Sequence, residues 1–427
     1  MSGYRLEVKL KQHTPLIHFQ HDQNGAALRA SEVKPKLDRF IIERLTTEEK
    51  KEWLTEKKTL PFKLKIESTE EKYYDDRELP MFFGNMSKDE NSVKKRGITH
   101  SNVYFTVYTP DEALRAKIKE SLALFFFTHN FGARQSKGYG SFYIDKFDIN
   151  GIYKEPDDLW KKNTLYVSKF SSKDILKDID LFYKTIRSGI NQCHKICTAT
   201  DSEMDRKCQV FNKCGVRIVK KNGCVKYRCE HLVFGNKSIF YCKSALFKFL
   251  DSKTPNRQWD KKTIKEAYFT KYSPKIDNSQ LLYRDLLGLA SETIAGGATL
   301  SKENIDSDIE RYKSPILIKP ITTEKGSYIY IGYVSIDSQM LNKEFSIKKD
   351  KIGSLKMFTP TIFELKDYFD FLFKKSNHTP FLIESLMSSR EIENTTTKVK
   401  VTPNHTKHEF YQKLIAIYNE LQNNYKQ

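Results

Sequence analysis

Residues 131–142 read FGARQSKGYGSF and follow the apolar run LALFFFTHN. Gly132, Gly138 and Gly140 permit positive φ and let a partner approach the backbone closely. Arg134 and Lys137 supply charge, Ser136 and Ser141 supply hydroxyl donors, and Tyr139 adds an aromatic ring. Exposed amides among them would complete an anion-binding surface, the kind that positions a phosphate backbone without reading its sequence. The Gly138-x-Gly140 spacing is not a dinucleotide fingerprint. In that motif the glycines leave a strand and open a helix, whereas these leave a helix and open a strand. A glycine-rich connection with merely solvated charge has the same composition.

Two further clusters carry chemistry. His18, His21 and Asp22 share the segment HFQHDQNG, and an imidazole of near-neutral pKa can serve as general base on a ribose hydroxyl. A polar exposed loop is the plain alternative. All seven cysteines lie between Cys193 and Cys242. Cys193-x₃-Cys197 and Cys224-x₄-Cys229 approach the pair spacing of a tetrahedral zinc site, with His194 and His231 beside them. No C-x₂-C pair occurs, and VRIVKKNGCVKYR reads as a hairpin around Asn222-Gly223 that puts Cys224 directly after the turn. Structural zinc and reduced thiols in a surface insertion both remain open, and no other cofactor is implied. The segment is also basic, through Lys220, Lys221, Lys226 and Arg228.

The elements that must position these residues follow from periodicity. YRLEVKL alternates polar and apolar residues as a half-buried strand does, and HTPLIHF continues past a bend or edge at Pro15. SEVKPKLDRFIIERL reads as a helix with Ser31 as N-cap, Pro35 lying in its early part. Arg29 and Lys34 flank that N-terminus, where the helix dipole favours a phosphate. Residues 46–100 are charge-dense and only faintly periodic. NVYFTVYT is a strand, and PDEALRAKIKESLALFFFTHN is a helix with Pro110 and two acids at its start. GSFYIDKFDI is a further strand. Residues 1–150 thus fit a ferredoxin-like α+β domain with a glycine-rich loop.

After Pro156 the same types recur with insertions. TLYVSKF is a strand and DILKDIDLFYKTIRSGIN a helix ending near Gly189. The cysteine-rich insertion spans 193–242. KSALFKFLDS, DKKTIKEAYF and LLYRDLLGLA read as helices, SPILIKPI and SYIYIGYVSI as strands, and helices close the chain around 362–374 and 406–425. Residues 151–427 read as a second, decorated copy of the first fold.

A length of 427 residues accommodates two domains, and 28 Phe with 23 Tyr supply core volume and stacking surface. The formal charge is +19, which favours a polyanionic partner through counterion release, although a lysine-rich solvated surface gives the same sum. MSGYRLEVKL does not resemble a signal peptide, and no run approaches the ~20 apolar residues of a membrane span. A cytoplasmic protein with reduced cysteines and no membrane association is expected.

Three segments carry a family resemblance: YRLEVKLKQHTPL, LRASEVKPKLDRF and FGARQSKGYGSF. They resemble the RAMP superfamily of CRISPR-associated proteins, whose ferredoxin-like (RRM-like) domains end in a glycine-rich loop. IRSGIN, YRDLLGLA and RYKSPILIKP extend the resemblance, which is greatest to the first-named subunit of Cmr-type (type III-B) effector complexes. It implies an α+β fold of two tandem RAMP domains with a cysteine-rich insertion and extra C-terminal helices. It implies an antiviral RNA-binding subunit that contacts the crRNA 3′ region or target RNA beside other effector subunits. Gly132, Arg134, Ser136, Lys137, Gly138, Tyr139 and Gly140 become RNA-contacting positions, joined by Arg29, Lys34, Arg187, Arg311 and Lys313. The first helix departs from the pattern at Pro35 and Asp38, which puts in question whether that helix face meets phosphate. The alternative implied by related endonucleases is metal-independent RNA cleavage through His18, His21 or Asp22.

Overall fold

Strand β1 (Arg5–Gln12) alternates as expected, with Leu6, Val8 and Leu10 buried on one face. The chain bends through His13–Pro15 and resumes as the two-residue strand β2 (Leu16–Ile17). In the computed structural model, the described residues are 4–17, 28–74, 79, 97–193, 216–221, 224–229, 239–253, 260–269, 281–290, 292–295, 298–304, 309, 311–349, 352–374 and 409–426.

Helix α1 (Ala30–Ile42) starts one residue before Ser31. Arg29, in extended conformation, holds the N-cap position, and its carbonyl accepts from the Glu32 and Val33 amides. Ser31 therefore lies in the first turn, a shift of the kind common at frayed helix ends. Among its described residues the faintly periodic stretch holds a helix, a strand and the start of a second strand. Thr46 and Glu49 form a reciprocal capping box on α2 (Thr47–Trp53), and β3 (Lys63–Tyr74) follows. Strand β4 (Gly97–Tyr108) leads to α3 (Glu112–Thr128), which is capped by the Asp111 carboxylate on the Leu114 amide at 2.8 Å. Strand β5 (Phe142–Ile144) closes the sheet.

That sheet runs β3-β4-β1-β5 with every pair antiparallel, and β2 pairs with the start of β4. Its apolar face packs on α1 and α3 through Phe105, Phe125, Phe126 and Phe131. Beyond residue 150 come α4 (Pro156–Lys162), β6 (Tyr166–Ser172) and α5 (Ile175–Arg187). A second antiparallel sheet has the order Ile316–Thr323, Gly326–Tyr333, β6. Trp160, Tyr166, Ile321 and Tyr330 belong to the same core as the first sheet, so residues on both sides of position 150 share one hydrophobic interior.

The chain falls into two compact units: residues 1–180, 264–365 and 426–427, and residues 181–263 and 366–425. The first also holds a four-stranded sheet in the order Glu292–Ala295, Ala298–Asn304, Glu344–Lys349, Ile352–Phe358. LLYRDLLGLA forms only a single turn, Tyr283–Leu286, before the strand residues Leu289–Ala290. In the second unit the strand Ile190–Cys193 pairs with Ile239–Cys242, and Val216–Lys221 pairs with Cys224–Cys229. The register sets Lys221 opposite Cys224, the pairing expected of a hairpin in VRIVKKNGCVKYR. Phe182, Phe373 and Tyr418 pack together in that unit, where Thr185 Oγ1 lies 2.7 Å from the Tyr418 hydroxyl.

Candidate nucleic-acid interface

The glycine-rich loop is tied to the bend after β1. Ser141 O accepts from the His13 amide at 2.8 Å, and the Gly140 amide donates to Pro15 O at 2.9 Å. Thr14 Oγ1 donates to Gly138 O at 2.6 Å and accepts from the Ser141 amide at 3.0 Å. The Ala133 amide donates to Ile17 O at 2.8 Å. The His-Thr-Pro segment and the loop, two pieces picked out separately in sequence, thus form one hydrogen-bonded assembly.

All three loop glycines have positive φ: +73° at Gly132, +78° at Gly138 and +63° at Gly140. The close approach they allow is to the protein itself, contrary to the expectation of a partner. A Cβ on Gly140 would lie 1.9 Å from Phe131 O, and one on Gly138 would lie 2.8 Å from Ile179 Cδ1 and 3.1 Å from Pro320 Cγ. The loop amides are also largely consumed internally. Gly132 N donates to Glu32 Oε1 at 2.9 Å, so a carboxylate of α1 already takes an amide expected to meet an external anion. Lys36 completes this contact, with Nζ 2.9 Å from Glu32 Oε1 and 3.2 Å from Gln135 Oε1.

A third strand braces the loop from outside. Ile316–Thr323 is a sheet edge, and its outward groups are satisfied by side chains. Asn130 Nδ2 donates to Ile318 O at 2.8 Å, Ser141 Oγ donates to Pro320 O at 2.6 Å, and the Thr322 amide donates to His13 Nδ1 at 3.0 Å. Pro320 lacks an amide proton and is therefore suited to an edge. Between these residues the fully buried Lys319 points inward. Its ammonium donates to His129 O at 2.8 Å, Phe142 O at 2.9 Å and Asn130 Oδ1 at 3.2 Å. Burial holds the Lys319 ammonium well below its ordinary value. His129 is lowered to about 4, first by burial and then by Lys36, Lys319 and Lys313. His13 is lowered well below its ordinary value by burial, then by Lys319 and Lys11.

What remains at the surface is the outer turn. Arg134, Ser136 and Lys137 are partly exposed, and Arg134 adopts a left-handed conformation at φ +62°. A non-glycine residue in that region bears strain and tends to persist where the surroundings fix it. Tyr139 is fully buried against Ile17 and Leu79, so its ring offers no stacking face, and burial raises its hydroxyl pKa. Gly138, Gly140 and Ser141 are buried as well. Their role is to shape the turn.

The outlying candidates separate. Lys313 is exposed and close enough to Lys36 that its ammonium is lowered, by desolvation first and Lys36 second, which brings it beside the loop. Arg29 is partly exposed, and among the described residues its guanidinium has no partner. Lys34 points away from the loop. Its ammonium pairs with Asp38 at 2.7 Å, donates to Leu60 O at 3.2 Å and sits 4.1 Å over the Phe62 ring. Asp38 is itself buried, its carboxyl raised by that burial against the pull of Lys34, so it faces the core and does not repel phosphate at the surface. Arg187 is partly exposed at the end of α5 in the second unit. Of Arg311 only the strand backbone is described, paired with Ala290.

His18, His21, Asp22 and Cys197 lie outside the described residues, and Cys193, Cys224 and Cys229 are described in backbone only. Cys242 is a buried free thiol, pushed up by burial to about 12. Among the described residues no cluster of three metal-ligating side chains occurs. Sequence reasoning missed Glu32, Lys36, Asn130 and Lys319. The Glu32–Lys36 spacing of four on a helix was the readable signal.

Two family models match the chain: the Cmr1 N-terminal domain over residues 3–190 and the Cmr1 C-terminal domain over residues 241–400. The chain belongs to the Cmr1 family. Within Cmr1 terms, the whole loop assembly up to α5 falls in the N-terminal domain match, and Lys313 and Lys319 fall in the C-terminal one. Among solved structures, Cmr1 from Pyrococcus furiosus in its apo form aligns at 11% identity over 78% of this chain and 89% of that chain, with a TM-score of 0.30. One chain of the type III-B Cmr-beta complex bound to cognate target RNA aligns at 16% identity over 34% of this chain and 59% of its own length, with a TM-score of 0.24. A chain of that complex with target RNA, AMPPnP and single-stranded DNA aligns at 13% identity over 78% and 94%, with a TM-score of 0.27. TM-scores this low establish no shared arrangement, and membership rests on the two family models. No curated protein matches the chain.

Proposed function

We propose that this Cmr1-family chain is an RNA-binding subunit of a type III-B Cmr effector complex. Its outer turn, Arg134 to Lys137, contacts the phosphate backbone of the crRNA 3′ region or of target RNA, with Lys313 and Arg29 extending the contact. Guide pairing supplies sequence specificity, while this subunit takes backbone and shape. The first sheet, read β3-β4-β1-β5, has the strand order of a ferredoxin-like module, and the second sheet repeats the order of its first three strands. This supports two RAMP-type modules.

One observation carries the RNA reading. The loop buries Gly138, Tyr139, Gly140 and Ser141 as internal structure and leaves its cationic turn partly exposed, with Arg134 in a strained backbone conformation. Arg134 sits at positive φ, where glycine costs less, so a charged side chain is kept on this turn at the expense of backbone strain. Among the described residues no helix is long and apolar enough to cross a membrane.

The test is binding of the purified protein to labelled crRNA-like RNA and unrelated single-stranded RNA at two salt concentrations, with product lengths read on a denaturing gel. Intact RNA bound in a salt-sensitive, sequence-tolerant way is the expected result. Discrete shortened products would replace this reading with the endonuclease one. Absence of binding at low salt would contradict both.

A further inference from the structure

The first sheet has a second face, opposite the helices. Leu6, Val8 and Leu10 of β1 turn inward, so Arg5, Glu7, Lys9 and Lys11 line the other side. On β4, Val103, Phe105 and Val107 are core; Tyr104 and Tyr108 lie on the outer face, with Thr106 between them on the same side but buried. On β3 the same face carries Lys63, Lys65 and Glu67. The register aligns these residues in rows. Tyr108 stands between Arg5 and Lys63, and Tyr104 stands between Lys9 and Glu67. Each tyrosine therefore has a cation on at least one neighbouring strand.

At the end of the sheet, where this face meets the α1 side, lies a groove of about 680 Å³, lined by Tyr4, Phe62, Tyr108 and Pro110 with Lys63 from β3 and Lys34 from α1. Tyr4, just before β1, is 62% exposed, and Tyr108 at the end of β4 is 38% exposed. The groove lies at the end of β1 opposite the glycine-rich loop, which is bonded to the residues just after Gln12. It is thus separate from the turn described above.

Charge selects the occupant. Arg5, Lys9, Lys11, Lys63 and Lys65 outnumber Glu7, Glu67 and the edge residue Asp145. The acids are paired: Arg5 with Glu7, Lys65 with Glu67 at 2.8 Å, and Lys9 with Asp145 at 3.6 Å. Exposed pairs such as Arg5 with Glu7 and Lys65 with Glu67 contribute little stability, so these cations remain available to a phosphate. Lys11 and Lys63 make no ion pair among the described residues. Lys65 is raised by Glu67 and also feels Tyr108 and Arg5, which places these groups side by side. Aromatic faces alternating with cations on a sheet are what unpaired bases and their phosphates need.

We propose that this face is a second single-stranded RNA site, in which a base enters the Tyr4–Tyr108 groove and stacks while Arg5 and Lys63 take the flanking phosphates. The proposal rests on the RNA-binding reading above and adds base contact to it.

The experiment compares a labelled oligouridylate with an abasic ribose-phosphate polymer of equal length, using the full chain. The wild type is expected to bind the oligouridylate more tightly. Tyr4→Ala with Tyr108→Ala should lose roughly tenfold affinity for it, bind the abasic polymer as before, and keep the salt slope. Tyr108→Phe should retain the preference, because the ring is what stacks. Equal wild-type binding of both polymers would overturn this site and leave the loop reading standing, whereas binding of neither would overturn both. A Tyr4/Tyr108 variant that keeps its base preference but no longer co-assembles with other effector subunits would make the face a protein-docking surface and overturn the proposal.

Discussion

The ammonium of Lys319 donates to the carbonyl of Phe142 at 2.9 Å, joining residues 177 apart in sequence. The same nitrogen holds His129 O, so one buried amine grips the chain just before and just after the glycine-rich loop. Around it Asn130, Ser141 and His13 satisfy the free edge of the Ile316–Thr323 strand. The loop is therefore a rigid turn held from two sides. Its cationic surface is pre-positioned, which reduces the ordering cost of meeting a polymer.

Lys319→Met keeps the volume and removes the donor. The buried Phe142 carbonyl and the part-buried His129 carbonyl then lose a partner, at about 1–3 kcal/mol for the buried one. A clear drop in melting temperature is expected, together with faster amide exchange across residues 131–141. An unchanged melting temperature and exchange pattern would show that the amine does not hold the loop.

The lowered histidines give stability a direction in pH. A base whose folded pKa is depressed takes up its proton more readily when unfolded, so stability is complete above the ordinary value and falls with acidification. For His129 the window runs from 6.5 down to about 4. The loss is roughly 1.4 kcal/mol per pH unit within it. His13 acts with the same sign. Melting curves across this range should steepen downward in the wild type, and His129→Gln should flatten the dependence. An equal slope in both would remove His129 from the account.

Glycine substitutions should divide by what a Cβ meets. Gly140→Ala sets a methyl 1.9 Å from Phe131 O at φ +63°, whereas Gly151→Ala at φ +64° meets nothing within 4 Å. The second carries only backbone strain, about 1 kcal/mol. Gly140→Ala should cost several times more and disrupt the loop. Comparable melting temperatures for the two variants would contradict the packing described.

Much of this was legible from local pattern. The alternation of YRLEVKL, the Asp111-capped helix and the pairing of Val216–Lys221 with Cys224–Cys229 each follow from local residues. The loop glycines declared their backbone conformation too. What they could not declare was their neighbour, because Pro15, Phe131 and Pro320 reach them through tertiary contacts. Tyr139 looked like a surface ring amid polar residues and is core, since Ile17 and Leu79 arrive from other parts of the chain. Lys34 looked available and is held by Asp38, a partner that an i,i+4 reading could have named. Lys319 gave no local sign: a lysine inside ILIKPI reads as a solvent-facing strand position until the first sheet covers it.

If the Arg134–Lys137 turn meets RNA phosphates, the salt dependence of RNA affinity carries the signature of that contact. Arg134→Ala with Lys137→Ala should weaken binding uniformly across RNA sequences and lower the slope of log affinity against log salt by roughly one to two. Lys117→Ala, whose ammonium pairs with Glu49 at 2.9 Å, should leave that slope unchanged. An unaltered slope in the folded double variant, or an equal loss in the Lys117 variant, would show that the turn does not meet phosphate.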